Sequence, residues 1–178
     1  GNEIIFTTQP NAGNVIDIDG NVYTTVTIGT QVWLVENLKT TRYRNGDPIP
    51  HVSDGMQWSN LNTGAYCNYN NDGNNVSTYG RLYNWYAVSD ARNIAPVGWH
   101  VPSEADWDIL KIYLGGDNIA GGKMKEIGTT HWQAPNTSAT NSSGFTGLPG
   151  GQCYWNGTFT FEGINEFGFF WSSTQPNQ

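Results

Sequence analysis

The helix signals between residues 103 and 115 constrain the fold more than any other part of the sequence. Ser103 is a preferred N-cap residue, and Asp106 follows at the third helical position, where its carboxylate can accept a hydrogen bond from the cap backbone. Gly115 then ends the pattern, because glycine enters the left-handed conformation without steric cost. Apolar residues recur between these signals at helical spacing, namely Trp107, Leu110, Tyr113 and Leu114. The pattern predicts an amphipathic helix.

A second apolar stripe precedes this helix in the segment LYNWYAV, residues 82–88. Leu82, Trp85 and Tyr86 have helical spacing, so the segment predicts a second helix. A third helical segment, over residues 118–127, contains two adjacent glycines, which weaken its helix propensity.

Strand signals lie on both sides of the helices. In residues 15–38, β-branched runs are separated by an Asp-Gly and a Gly-Thr dipeptide, which predict a hairpin or meander. An Asn-Gly dipeptide at residues 156–157 predicts another hairpin, and FGFFWSST, residues 167–174, predicts a buried strand.

Along the chain, predicted strands are followed by predicted helices and then by further strands. This order indicates an α+β domain. We place this domain at residues 15–178, after an N-terminal arm or linker at residues 1–14. The two helices should pack on one small antiparallel sheet. Four tryptophans should be mostly buried, namely Trp85, Trp99, Trp107 and Trp171.

The charge balance excludes several classes of partner. The 178 residues carry a formal net charge of −7, with only 8 Lys and Arg in total. These basic residues are scattered, so neither nucleic acid nor an anionic membrane surface is an expected partner. No stretch approaches the ~20 apolar residues of a membrane span.

The composition also bears on where the protein is located. Low lysine content with abundant Trp, Asn and Gly favours a secreted or surface protein. The two cysteines, Cys67 and Cys153, are either a disulfide or two unrelated thiols, so they do not decide the compartment.

One loop has the residue alternation of a calcium site. Asn68, Asn70 and Asp72 place side-chain oxygens at alternate positions before a glycine, as the first half of an EF-hand loop does. The bidentate glutamate of that motif is absent, since Tyr79 occupies its position, and Asp54 would have to supply a further ligand. The alternative, which we favour, is an Asx-rich turn that satisfies its own backbone. The Asp-Ile-Asp-Gly sequence at residues 17–20 has the same appearance, and its hairpin context favours a turn.

Other candidate chemistry is sparse. Helix-dipole compensation explains the acidic side chains of the first turns better than paired-carboxylate glycosidase chemistry does. These residues are Glu104, Asp106 and Asp108. His51, His100 and His131 are too dispersed to indicate a metal site, and no nucleophile elbow or phosphate-binding loop occurs. We therefore expect no transition metal or organic cofactor, with calcium as the one ion to test.

Aromatic residues in loops and turns are the remaining functional signal. Flat rings beside Asn, Asp and Gln suit sugar recognition, which needs apolar stacking and planar hydrogen-bonding groups; the same rings could instead fill the loops' own small cores. The candidate ligand-binding residues are Trp58, Tyr69, Trp132, Tyr154 and Trp155, with Tyr66 in the same loop class. The first hypothesis is a non-catalytic surface module that binds polysaccharide or another surface macromolecule. The alternative is a secreted hydrolase or modifying enzyme whose site has no linear motif.

Five blocks of the sequence together resemble one family. They are DIDGNVYTTVTIGTQVWLVENLKT, AYCNYNND, YGRLYNWYAVSDARNIAPVGWHVPSEADWDIL, GFTGLPGG and FWSST. In this order they resemble the Fibrobacter succinogenes major paralogous domain over residues 16–174. That family consists of secreted or lipid-anchored bacterial surface proteins with no established activity. The resemblance therefore implies an extracellular or outer-surface location, with a lipid anchor upstream, and no particular chemistry.

A second resemblance concerns the fold. GWHVPSEADW, residues 98–107, is similar to a signature that precedes a helix in formylglycine-generating-enzyme-like domains. This similarity implies a C-type-lectin-like architecture, with two helices on a small twisted antiparallel sheet and long loops. The catalytic cysteines of those enzymes and the calcium-dependent sugar motifs of lectins are missing. Members of the surface family continue past FWSST to further strands and a cysteine, so we expect closing strands to be absent and Cys67 to be free or paired with Cys153.

Overall fold

The computed structural model describes residues 6–7 and 14–175. Its strands are β1 (Phe6–Thr7), β2 (Val15–Ile16), β3 (Val22–Tyr23), β4 (Thr25–Ile28), β5 (Gln31–Leu34), β6 (Tyr66–Cys67), β7 (Leu82–Tyr83), β8 (Gly150–Trp155) and β9 (Phe159–Ile164). Its helices are α1 (Gly55–Ser59), α2 (Val76–Tyr79), α3 (Trp85–Val88), α4 (Glu104–Leu114) and α5 (Asp117–Met124), with 3₁₀ turns at Tyr69–Asn71 and Gly73–Asn75. This mixture confirms the α+β class.

The strands form several small antiparallel sheets, so the prediction of one sheet is wrong. β5 lies between β1 and β4, while β2–β3, β6–β7 and β8–β9 are separate two-stranded pairs. The hairpins predicted from the Asp-Gly, Gly-Thr and Asn-Gly turns are confirmed as β2–β3, β4–β5 and β8–β9. Of the predicted N-terminal arm, residues 1–5 and 8–13 lie outside the described residues.

Helix α4 has the ends that the sequence predicts. The Ser103 hydroxyl accepts a hydrogen bond from the Asp106 amide at 3.2 Å, and Asp106 Oδ2 accepts one from the Ser103 amide at 2.8 Å. These two bonds are the reciprocal capping box. The helix stops at Gly115, whose φ of 104° is in the left-handed region. This helix is 11 residues long, and the described part of the chain contains no apolar helix of membrane-spanning length.

The segment LYNWYAV is only partly helical, which corrects the second helix prediction. Leu82 and Tyr83 are extended as β7 and are buried on both faces of the pair with β6. Asn84 then caps the four-residue helix α3, because its Oδ1 accepts a hydrogen bond from the Ala87 amide at 3.0 Å. Burial on both sides of a strand gives a continuous apolar run, which spacing alone cannot distinguish from a helix.

Two further segments differ from their sequence patterns. Residues 117–124 form the regular helix α5 despite the glycine pair, and it packs against α4. FGFFWSST contains no regular strand, so the prediction of a buried strand is wrong. Backbone hydrogen bonds to Phe167 and Ser173 hold this segment together with side chains: the Trp171 indole donates to the Tyr83 carbonyl at 3.0 Å, and Phe170 packs edge-on to Phe145 at 5.7 Å.

Apolar side chains of the described residues pack in clusters around these elements. The largest cluster joins β3 and β5 to β6, β7 and α3, and it includes Tyr23, Leu34, Leu38, Tyr43, Tyr83 and Trp99. A second cluster lies under α4 and includes Ile28, Trp33, Leu110, Leu114 and Phe145. A third, the hairpin cluster, lies under β8–β9 and consists of Cys67, Tyr69 and Leu82 with Trp58, Cys153, Phe159, Phe161 and Ile164. Trp99 is buried as predicted, while Trp85, Trp107 and Trp171 are half-buried against the core.

Candidate functional site

A groove of about 520 Å³ lies between α4, α5 and the segment of residues 166–172. Its walls combine large apolar side chains with charged groups. The apolar side chains are Trp107, Met124, Trp132, Phe167 and Phe170, and the charged ones are Lys111, Asp117, Lys125 and Glu166. This combination is typical of small-molecule and glycan sites, where apolar surfaces supply contact area and a few polar groups fix orientation.

The two indole rings of the groove are fixed by hydrogen bonds to the backbone. Trp107 Nε1 donates to the Trp171 carbonyl, and Trp132 Nε1 donates to the Gly147 carbonyl, each at 3.0 Å. Trp107 also packs on Trp33, with ring centroids 4.8 Å apart. Because both N–H donors are used inside the protein, the part of each ring that faces the groove acts as an apolar surface.

The charged side chains of the groove differ in whether they already form ion pairs within the protein. Lys111 Nζ lies 2.8 Å from Asp108 and 3.4 Å from Asp117, and these hydrogen bonds raise the pKa of the Lys111 ammonium. Lys125 and Glu166 form no ion pair with any described residue. Lys125 Nζ instead lies 4.3 Å from the centroid of the Trp132 ring, a cation–π distance. The groove therefore offers one ammonium and one carboxylate to a ligand.

A small polar cluster supports the loop that carries Trp132. His131 Nδ1 lies 2.9 Å from both carboxylate oxygens of Glu126. The Tyr79 ring packs edge-on to His131 at 5.8 Å, and its hydroxyl donates to Asn165 Oδ1 at 3.1 Å. Burial and the Glu126 charge raise the pKa of Tyr79. The spacing of the histidines does not indicate this cluster, because Tyr79 and Asn165 come from segments distant from His131 and Glu126.

The five predicted ring residues do not form one surface. In the β8–β9 register Cys153 pairs with Phe161 and Trp155 with Phe159, whereas Tyr154 pairs with Thr160. Side chains alternate along a strand, so Trp155 and Tyr154 point to opposite faces of the hairpin. The Tyr154 hydroxyl donates to Glu162 at 3.0 Å.

The ring set is divided among three places. Tyr69 is buried with its ring 5.6 Å from Phe161, and Trp58 packs 5.8 Å from Phe159. Trp155 lies over α1, where a Cβ added to Gly55 would stand 2.7 Å from its ring. Tyr69 and Trp58 thus belong to the hairpin cluster, Trp155 lies against α1, Tyr154 points to the opposite face of the hairpin, and the buried Trp132 lines the groove.

The proposed calcium ligands are engaged with the protein itself. Asn68 is buried, and its Oδ1 accepts a hydrogen bond from Arg81 Nη1 at 2.7 Å. Asp72 Oδ1 accepts from the Asn74 amide at 2.9 Å, and Asn70 is exposed with a φ of 54°. These contacts fit the Asx-turn interpretation, and the Arg81 guanidinium puts a positive charge where a calcium ion would need oxygen ligands. No group of three or more His, Cys, Asp or Glu among the described residues could hold a metal ion.

The remaining acidic candidates have structural partners. Asp54 caps α1 by accepting from the Gln57 amide at 2.8 Å, and Asp17 accepts from the amides of Asp19 and Asn21 at 2.9 Å each. Asp17 Oδ2 also accepts from the buried Tyr23 hydroxyl at 2.7 Å. The residue 17–20 segment is therefore the predicted turn.

Asp106 of the capping box has a depressed pKa. Burial raises the pKa of this carboxylate, but hydrogen bonds from the Ser103 amide and hydroxyl and from His100 outweigh burial and lower it. His100 Nε2 lies 3.3 Å from Asp106 Oδ2, so this histidine supports the helix N-terminus, while His51 stacks on Tyr66 at 5.0 Å. Glu104 and Asp108 stay on the first turns of α4, where Asp108 is bound to Lys111.

Comparison with known protein families gives a match over most of the chain. A family model described as the Fibrobacter succinogenes major domain matches residues 26–178. No curated protein and no solved structure matches the chain.

Proposed function

The chain belongs to the Fibrobacter succinogenes major domain family, and from that premise we propose that it is a non-catalytic, surface-exposed binding module that holds a polysaccharide in the groove. The family match carries no activity, so the groove itself must supply the support. We further propose that the α4 region and the small antiparallel sheets belong to a C-type-lectin-like architecture, as the resemblance at residues 98–107 implies. An experimental structure whose strand connections differ from that architecture would reject the second proposal.

The observation that carries the proposal is the state of the groove's rings. Trp107 and Trp132 both have their indole N–H groups satisfied by backbone carbonyls, and the half-buried Trp107 presents apolar ring surface to the groove, whereas Trp132 is only 9% exposed and lies mainly beneath Lys125. Phe167, 55% exposed, extends this surface at the mouth. A pyranose has an apolar C–H face and a rim of hydroxyls, and stacking on aromatic rings covers the former.

Polar groups of the groove can form hydrogen bonds with the hydroxyl groups around a pyranose ring. The Lys125 ammonium donates hydrogen bonds and the Glu166 carboxylate accepts them, and neither is bound in an ion pair with a described residue. A sugar hydroxyl does both, so the pair can orient a ring stacked between the aromatic side chains. Such shallow recognition corresponds to micromolar to millimolar affinity, roughly −4 to −8 kcal/mol.

Polysaccharide retention tests the proposal. Purified protein is mixed with a panel of insoluble polysaccharides and applied to a glycan array, alongside Phe167→Ala and Lys125→Ala. We expect retention on at least one polymer and at least a tenfold loss in both variants, because each removes one type of contact. Both residues are on the surface or half-buried, so circular dichroism should show unchanged folding.

Variants of the β8–β9 hairpin are the matched controls, because they remove aromatic rings that the sequence predicts to bind the ligand but that lie outside the groove. Trp155, 38% exposed, and Tyr154 lie outside the groove, so Trp155→Ala and Tyr154→Ala should retain binding. Loss in the hairpin variants alone would move the site to β8–β9. Absence of retention on every glycan would reject the sugar ligand and leave adhesion to a surface protein.

One contact favours the alternative of a hydrolase. His131 is oriented through Nδ1 by Glu126, which is how a carboxylate orients a catalytic histidine, and its Nε2 forms no hydrogen bond with a described residue. Among the described residues, no hydroxyl or thiol group forms a hydrogen bond with His131 Nε2 as a nucleophile would. Release of soluble products from the bound polymer by wild type, lost in His131→Gln, would establish the enzyme and overturn the non-catalytic proposal.

A further inference from the structure

We infer that Cys67 and Cys153 are a disulfide-forming pair, which becomes oxidised when the protein meets a small disulfide or a thiol–disulfide oxidoreductase. The two thiols are free, with their Sγ atoms 3.3 Å apart. A disulfide bond is about 2.05 Å long, so the sulfur atoms need to approach by roughly 1.3 Å, a displacement that side-chain rotation can supply. The inference does not depend on the proposed polysaccharide ligand.

Both cysteines stand on paired strands within one apolar cluster. Cys67 lies on β6, which pairs with β7, and Cys153 lies on β8, which pairs with β9. Both belong to the hairpin cluster, where Tyr69 and Phe161 pack beside them. The contact between residues 86 positions apart is therefore built into the core and is not a chance encounter of two loops.

A metal site does not account for the pair. Among the described residues, no further His, Asp or Glu joins the two thiols to make a group of three ligands. Two thiols without other metal ligands, placed at this distance, have disulfide formation as their available chemistry.

Differences in burial set the order of reaction. Cys67 is fully buried, whereas Cys153 is half-buried. The hydrogen bond between the thiols, together with burial, raises the pKa of Cys67, and the same hydrogen bond lowers the pKa of Cys153. Cys153 is thus both the more accessible thiol and the one more readily ionised, and the thiolate is the nucleophile in exchange.

The reaction balances in two exchange steps. The Cys153 thiolate attacks one sulfur of oxidised glutathione, breaks its S–S bond and releases one glutathione thiolate, which takes up the proton lost by Cys153. Cys67 then loses its proton to solvent base, and its sulfur attacks Cys153 Sγ. The mixed disulfide breaks and a second glutathione leaves, so two protein thiols are oxidised by two electrons and one glutathione disulfide is reduced.

The test uses the full chain, first reduced with dithiothreitol and then incubated with oxidised glutathione. We expect both thiols to become unreactive to maleimide after denaturation, and the intact mass to fall by that of two hydrogen atoms. The oxidised monomer should migrate faster on non-reducing gels. Its melting temperature should rise by roughly 5–15 °C, because the cross-link closes a long loop of the unfolded chain. Dithiothreitol should reverse all four changes.

Cys153→Ser is the control variant, since its half-buried site tolerates a hydroxyl better than the buried Cys67 site. It should keep one reactive thiol and show no rise in melting temperature. Brief alkylation of the reduced native protein should modify Cys153 before Cys67. Two thiols that still label after oxidation, or stable glutathione adducts in place of the cross-link, would overturn the inference.

Discussion

Trp107 offers the sharpest test of the core, because it joins α4 to two other parts of the molecule. Its ring packs on Trp33 at 4.8 Å and on Phe170 at 5.8 Å, and its Nε1 donates to the Trp171 carbonyl at 3.0 Å. Replacing a core Trp with Ala costs about 3–5 kcal/mol. One side of Trp107 is open to the groove, so water can fill part of the space that the ring vacates. We therefore expect Trp107→Ala to lower the free energy of unfolding by about 3 kcal/mol, at the lower end of that range.

Two further variants separate the contributions. Trp107→Phe keeps ring contacts but removes the N–H donor, and it should cost about 1 kcal/mol. Ile112→Ala is the matched control, because Ile112 is on the same helix and 76% exposed; its effect should stay within about 0.5 kcal/mol.

Urea unfolding followed by circular dichroism measures all three variants without relying on tryptophan fluorescence. A loss of 3 kcal/mol corresponds to a melting temperature lower by about 6–12 °C in a domain of this size. If Trp107→Ala were no more destabilising than Ile112→Ala, the assignment of Trp107 to the core beneath the groove would be refuted.

The other predictions concern capping, the buried hydroxyl, acid and calcium. Ser103→Ala should cost about 1 kcal/mol in urea unfolding through loss of the cap, while an unchanged midpoint would contradict the capping box. Tyr23→Phe should cost about 1–2 kcal/mol, because it leaves the buried Asp17 carboxylate short of a donor; no loss would mean that solvent replaces this bond. Since the folded pKa of Asp106 is depressed, its stabilisation is complete above about pH 4 and is lost as pH falls through the folded pKa. Unfolding midpoints in acid should therefore fall further for wild type than for Asp106→Asn, and parallel curves would argue against this linkage. Millimolar calcium or a chelator should leave the melting temperature unchanged, and a calcium-dependent rise would restore the calcium site at residues 68–72.

Local signals in the sequence predict the fold where backbone chemistry decides the structure. Ser103 with Asp106 determines where α4 begins, and the Asn-Gly pair at residues 156–157 determines the turn of β8–β9. The apolar pattern predicts a helix at Leu82, where the structure has a strand, for a physical reason: a strand buried on both faces has no polar alternation, so its apolar residues fit a helical stripe equally well.

The candidate site could be predicted only in part, because contacts between distant segments create it. The sequence pattern indicates Trp132 as a candidate but does not indicate Lys125, Glu166 or Phe167. These residues become neighbours only when α5 and the segment of residues 166–172 pack beside α4, and no linear spacing encodes that approach. Conversely, residues that are adjacent in the sequence need not share a surface. Tyr154 and Trp155 point to opposite faces of the hairpin because side chains alternate along a strand.

The hairpin cluster has a consequence for synthesis of the chain. Cys67, Tyr69 and Leu82 all leave the ribosome before β8 and β9, which cover them in the finished protein, and even Leu82 precedes the start of β8 by about 70 residues. At the usual rates of translation, that interval lasts roughly 4–14 s. Throughout it, this surface lacks the Cys153, Phe159, Phe161 and Ile164 side chains that cover it in the folded protein, and a two-stranded pair such as β6–β7 is not stable alone. Completion of this part of the core must therefore wait for residues 150–164 to emerge, and a chaperone that holds extended chains would act during this interval.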